Sequence, residues 1–132
     1  MSFELELQDA VLASLRAEAD IAGQANGVSL ERPVRASPPY LVLGPLLSAD
    51  WGAKGLRGRE VRLTVIVHDA AETWTRAVAL QGAVARAFDA LPRQLGSWSL
   101  GSVTLLRSRT GRDGANGWLG LVEYRVRAME TE

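Results

Sequence analysis

The chain has 132 residues, a normal size for one domain and too few for two comfortable cores. Fifteen Lys plus Arg offset fifteen Asp plus Glu, which argues against a protein that grips nucleic acid, since sequence-independent binding comes from cations neutralising phosphates. The absence of cysteine excludes disulfides, thiolate metal sites and thiol catalysis together, and suits synthesis in a reducing compartment.

The N-terminus, MSFELELQDA, is acidic and amphipathic with no basic start or apolar run, so it does not read as a signal peptide. No apolar stretch approaches bilayer length, and the chain is expected to be made in the cytoplasm with no membrane partner. Residues 3–19 read as a helix. Leu7, Val11 and Leu15 recur at four-residue intervals with Leu12 beside them, while Glu4, Glu6, Asp9 and Arg16 face away. Ser2 is the candidate N-cap, and Glu4 and Glu6 lie where the helix dipole favours carboxylates.

From Asp20 to Pro39 the periodicity fades, and Gly23, Asn26-Gly27, Pro33 and Pro38-Pro39 mark an irregular connection. Val28 to Leu30 is expected to pair briefly as an edge. Tyr40 to Leu43 is a short apolar strand closed by Gly44-Pro45. Residues 46–59, LLSADWGAKGLRGR, form a long Gly-rich segment that is either a β-hairpin arm or a mobile loop. Lys54 is the only lysine in the chain, so the positive charge is almost all arginine. That fits an interface-forming surface and equally a GC-rich coding sequence.

From Val61 to His68 apolar and polar residues alternate, as a strand with one buried face requires. After Asp69 the period changes, and Ala77, Leu80, Val84, Phe88 and Leu91 share one side of a helix. Asp69 and Glu72 have capping-box spacing, with Thr73 as a competing N-cap. Gly82 in mid-helix is read as close packing on the sheet. Leu91-Pro92 ends the helix.

Residues 95–109 read as one bent strand or two short ones, with Gly101 as the bulge or bend. Residues 110–117, TGRDGANG, read as a turn-rich loop. They lack a Gly-Lys-Ser/Thr ending and precede a strand, so they are no phosphate loop. Trp118 to Met129 is the last strand, with Trp118, Val122, Tyr124 and Val126 on one face. The expected fold class is therefore α+β: an antiparallel sheet of about four strands with two helices packed on one face, in the order αββαββ. It forms one domain over residues 1–132 with a projecting loop or hairpin at 46–59.

No residue pattern announces a reaction. His68 is the only histidine, and its neighbour Asp69 points to the opposite face of a strand, so the two make no orienting pair. No ligand spacing for a metal is present, and no cofactor is expected. Trp98 and Trp118 read as core or sheet-face residues. Trp51 sits in a polar loop, where it either anchors an interface or folds back over the core. Trp51, Lys54, Arg57 and Arg59, with Arg109, Arg112 and Asp113 from the second turn-rich segment, are the candidate contact residues. On residues alone two classes stay open, a structural interaction protein and a small ligand-binding or enzymatic domain with a pocket between helix and sheet.

Taken end to end, the chain resembles the tail-terminator (tail-completion) proteins of long-tailed phages and gene transfer agents. The likeness rests on ELQDAVLASLRA, the PPYLVLG strand, the DW-containing loop ending in Gly58-Arg59-Glu60, the LTVIVHD strand, the Ala-rich helix and the closing YRVRAME strand. At His68 the chain departs from the family, whose members often carry tryptophan there. The resemblance implies a protein that is not an enzyme. It implies a homohexameric ring that caps the head-proximal end of a tail tube, ends tube polymerisation and joins the tube to a head-side connector or stopper. DNA would pass through its lumen without specific binding, and the protein would reside in the virion tail. Another ring component of the head–tail connector is the nearest alternative.

Overall fold

The structure is a computed structural model that describes residues 2–131; Met1 and Glu132, which the expected domain span includes, lie outside the described residues. Helix α1, Phe3–Ala17, starts where expected: the Ser2 hydroxyl accepts the Leu5 N–H at 3.3 Å. Phe3, Leu7, Val11 and Leu15 are all at most 1% exposed. The helix stops short of residue 19 because Glu18 turns extended, and its carboxylate accepts the N–H groups of Asp20 and Ile21. That cap opens a second helix, α2 (Ala19–Gln24), in which Ile21 alone is buried. One buried residue in six carries no period, so the element left no trace in the sequence pattern.

Seven strands follow or interleave with the helices: β1 Val28–Ser29, β2 Tyr40–Leu43, β3 Leu47–Asp50, β4 Gly58–Asp69, β5 Gln94–Leu95, β6 Trp98–Asp113 and β7 Gly117–Glu130. They form one curled sheet in the order β1-β2-β4-β7-β6-β5, with β3 also on β4. The expected antiparallel sheet of about four strands with two helices is therefore wrong. The sheet has seven strands and is mixed, since β1 pairs parallel to β2, and three helices accompany it among the described residues. Short edge strands account for most of the difference. Strands of two to four residues are too brief to show a period and are fixed by tertiary pairing.

β2 and β3 lie on the same edge of β4, but the pairing slips by one residue between them: Leu43 faces Val65 and Leu47 faces Arg62. Gly44 permits the slip, since a Cβ there would sit 3.3 Å from the Thr64 carbonyl. Residues 47–69 are thus a hairpin whose turn, Trp51 to Arg57, is closed by an Ala53–Leu56 bridge. β6 runs unbroken to Asp113, so residues 110–113 belong to a strand where a loop was expected, and only the tip at residues 114–116 turns. Its partner β7 holds it there. The expected bulge at Gly101 is present, and a second falls between Leu105 and Arg107.

The third helix, α3 (Thr75–Asp89), begins later than the capping-box spacing suggested. Trp74 is its N-cap without a side-chain bond, because Asp69 remains in β4 and is held by Arg76. Leu80, Val84 and Phe88 are buried against the sheet, roughly 1.5–3 kcal/mol each. That outweighs the about 1 kcal/mol that Gly82 costs the helix. Gly82 itself is exposed, and a Cβ there would meet only an Arg86 nitrogen at 3.9 Å, so it does not serve close packing. Odd residues of β4 and even residues of β7 supply the core under α1 and α3, with Phe88 stacked on Tyr124 at 4.0 Å. Among the described residues, the other face of the sheet carries no helix.

Candidate functional site

The candidate contact residues fall into two groups at opposite ends of the long strands. β4 and β7 pair along their whole length, from Gly58–Met129 to Asp69–Trp118. Eleven rises of a strand separate these ends by roughly 35 Å. Trp51, Lys54, Arg57 and Arg59 lie at one end, and Arg109, Arg112 and Asp113 at the other.

At the first end the turn of the β3–β4 hairpin gathers four of them. The Arg127 guanidinium lies 5.3 Å from the centre of the Trp51 ring, and the Trp51 N–H donates to the Gly58 carbonyl at 3.1 Å. Trp51 thus rests on the helix-free face, still 38% exposed. Arg59 points to the helix side, 3.7 Å from both Glu4 and Asp50. Arg57 is 3.6 Å from Glu130, with its side chain 84% exposed. Lys54, Arg57 and Arg59 line a shallow depression with Asp50, Leu56 and Trp98. Its walls are charged and open, fit for a protein surface and without the enclosure a small ligand needs.

At the second end Arg112 stacks on Trp118, 4.1 Å from the ring centre, and the Trp118 indole N–H donates to the Ala71 carbonyl at 2.9 Å. Asp113 lies 3.8 Å from His68 Nδ1. Burial and the nearby Arg32 charge lower the His68 pKa, against the pull of Asp113, so the imidazole is neutral at pH 7 and stacks on Tyr40 at 4.7 Å. Arg109 is exposed, and its carbonyl accepts from Gln81 at 3.0 Å.

Two buried polar groups were not singled out by sequence reasoning as functional. The Asp69 carboxylate takes three hydrogen bonds from Arg76. Burial raises its pKa, but Arg76 and the Ala70 N–H outweigh burial and leave it lowered. Gln81 donates to Ser108 and Arg109 and accepts from Thr110, tying α3 to β6. Both are consumed in structural bonds, and neither faces a cavity with a free nucleophile or base. The apolar groove between α1 and α3 is lined mainly by alanines. Asp69 could have been found from its place at a strand end seven residues before an arginine; Gln81 gave no signal.

The helix-free face carries Arg62, Arg107, Arg109, Arg125 and Arg127 against Glu60 and Glu123. Its ion pairs are long, 3.4 Å for Arg107–Glu123 and 3.7 Å for Arg127–Glu60. Arg62 and Arg125 stand directly opposite each other on neighbouring strands. It is a mixed-charge surface on which the Nε atoms of Arg125 and Arg127 are buried without a hydrogen-bond partner.

A family model described as tail completion protein gp17 matches residues 9–129 of the chain. No curated protein matches it. Among solved structures, a chain from the virion of a native gene transfer agent particle is similar with a TM-score of 0.79 at 27% identity, over 93% of this chain and 94% of that one. The bacteriophage SPP1 gp17 protein is similar with a TM-score of 0.62 at 19% identity, over 92% and 88% of the two chains, a likeness of fold.

Proposed function

The chain belongs to the family of tail completion protein gp17, and from that premise we propose that it is a structural component of a phage-type tail or gene-transfer-agent particle. The family is one of tail completion proteins and not of enzymes. Six copies form a ring on the head-proximal end of the tail tube, stop its polymerisation and present a surface to the head-side connector. The partners are the chain's own copies, the tube protein and the connector or stopper, and DNA traverses the ring without being gripped. The protein is made in the cytoplasm and carried in the particle. The observation that carries this reading is the match running through residues 9–129, nearly the whole fold, together with the end-to-end likeness to a virion chain.

Physical features of the chain support it. A ring requires heterologous contacts that close on themselves. The free strand edges, the β3–β4 hairpin and the exposed arginines at both ends of the sheet suit such contacts. A lumen that passes DNA must not hold it, and a chain of zero net charge is compatible with that.

Electron microscopy of particles made with and without this protein tests the role. Loss is expected to give overlong or headless tails. Headless tails of normal length would instead favour another ring component of the connector. Normal particles without the protein would overturn the reading.

A further inference from the structure

The two edges of the sheet are not equivalent. β6 is paired to β7 along one side, but β5 covers only Trp98 and Ser99 on the other. From Gly101 to Asp113 its outer edge has no strand partner among the described residues. At the opposite end of the sheet, β3 pairs with β4 on one side only, and all four of its residues are exposed. Each edge presents a row of unpaired backbone N–H and C=O groups, the template for adding another strand.

We propose that β3 of one copy pairs with the free edge of β6 of the next, so that the sheet runs on from subunit to subunit. The occupant is a second copy of this chain. The inference rests on the ring reading above and specifies its contact.

Direction supports the pairing. β4 is antiparallel to β7 and β7 to β6, so β4 and β6 run the same way, and β3 runs against both. Rotation about a ring axis keeps strand direction along that axis. A neighbour's β3 therefore meets β6 antiparallel, the more stable ladder, with the helix layers of both copies on the same side of the sheet.

Charge and surface agree. Asp50 on β3, its side chain 79% exposed, lies opposite Arg59 on the helix side of the sheet, the side on which the β6 edge carries Arg112, opposite Trp118. Leu47 on β3, opposite Arg62, is 69% exposed on the helix-free face, while Leu105 and Val78 are nearly half exposed on the helix side of the β6 edge, so each face of the seam offers apolar surface to cover. The shortness of β3 and the two bulges in β6 keep either edge from pairing indiscriminately.

Because the chain has no cysteine, crosslinking can test this directly. Ala49, opposite Glu60, lies on the helix-free face, as do Ser102, Thr104, Arg107, Arg109 and Gly111. Opposed residues of an added strand come within disulfide reach. Ala49→Cys is combined in turn with cysteine at each of these five β6 positions, and assembled tails are oxidised mildly. A Cβ at Gly111 meets nothing within 4 Å, and the other positions are on the surface, so the fold tolerates the changes. At one β6 position a ladder of linked subunits is expected on non-reducing gels. The single-cysteine chains should give none, and a mixture of the two singles should give a linked dimer. Dimers from Ala49→Cys alone, or from a β6 cysteine alone, would mean a two-fold contact and overturn the proposal. So would the absence of links at all five positions in tails of normal length, an outcome that leaves the terminator role standing. Normal particles in the complete absence of the protein would instead remove that role.

Discussion

At the scale of single residues, the decisive interactions are polar groups that the fold has buried and then satisfied. Asp69 sits with its side chain fully out of solvent and survives as a carboxylate because Arg76 donates to both of its oxygens. Arg76→Leu strands that charge. Arg76 is itself 40% exposed, so solvent screens the pair, and the loss at neutral pH is expected to be about 2 kcal/mol rather than the 3–5 kcal/mol of a fully buried pair. The folded pKa of Asp69 is lowered, so its stabilisation is full above the unfolded value of about 4 and is lost as pH falls through the folded one. Urea unfolding of both proteins between pH 3 and 7 should show the gap narrowing on acidification; a gap independent of pH would contradict this account. His68 acts in the same direction for a different reason, because there the fold favours the neutral form. Its folded pKa is lowered by burial and by the nearby Arg32 charge, so the wild-type protein loses stability as pH falls through the unfolded value of 6.5, where the unfolded chain takes up a proton that the folded imidazole resists. His68→Phe keeps the stack on Tyr40 and should lose less stability between pH 7.5 and 5, as read from melting temperatures.

At the scale of elements, two glycines show how position decides the sign of one substitution. Gly82 lies on the exposed side of α3, where a Cβ would make only an ordinary contact with the flexible Arg86 side chain, so Gly82→Ala should stabilise by about 0.5–1 kcal/mol through helix propensity. Gly120 lies in β7 under Gln81, and a Cβ there would come within 2.6 Å of the amide. Gln81 cannot swing away without giving up its bonds to Ser108, Arg109 and Thr110. Gly120→Ala should therefore cost about 1–3 kcal/mol and loosen α3 from the β6–β7 hairpin. Denaturant midpoints of the two variants should move in opposite directions. The helix stripe Leu80–Val84–Phe88 and the alternation of β4 were legible from period alone, because each is long enough to repeat. The start of α3 was not, because Asp69 had a choice between capping a helix and pairing with Arg76, and only the packed structure decides between them.

At the scale of the whole molecule, the question is which surfaces can be spent on partners without cost to the fold. Trp51 keeps its cation–π contact with Arg127 at an exposed site, worth about 0.5–1 kcal/mol, and the Arg57–Glu130 pair is solvated and adds little. Trp51→Ala with Arg57→Ala should therefore leave the monomer folded by circular dichroism while abolishing assembly with the tube. Normal particle yield from that double variant would reject the role assigned to the hairpin turn. The seven candidate residues do not form one site. They mark two ends of a long sheet.

The sequence by itself determined the long elements, the aliphatic interior and, through its order of motifs from end to end, the family. Those features repeat or extend over many residues, so local pattern is enough to reveal them. Only the tertiary structure decided the number of strands, the parallel β1–β2 pair, the joining of residues 47–69 into one hairpin and the extension of β6 to Asp113. Each of these depends on which backbone donors and acceptors find partners across the chain, and a strand of two to four residues carries no record of its neighbour.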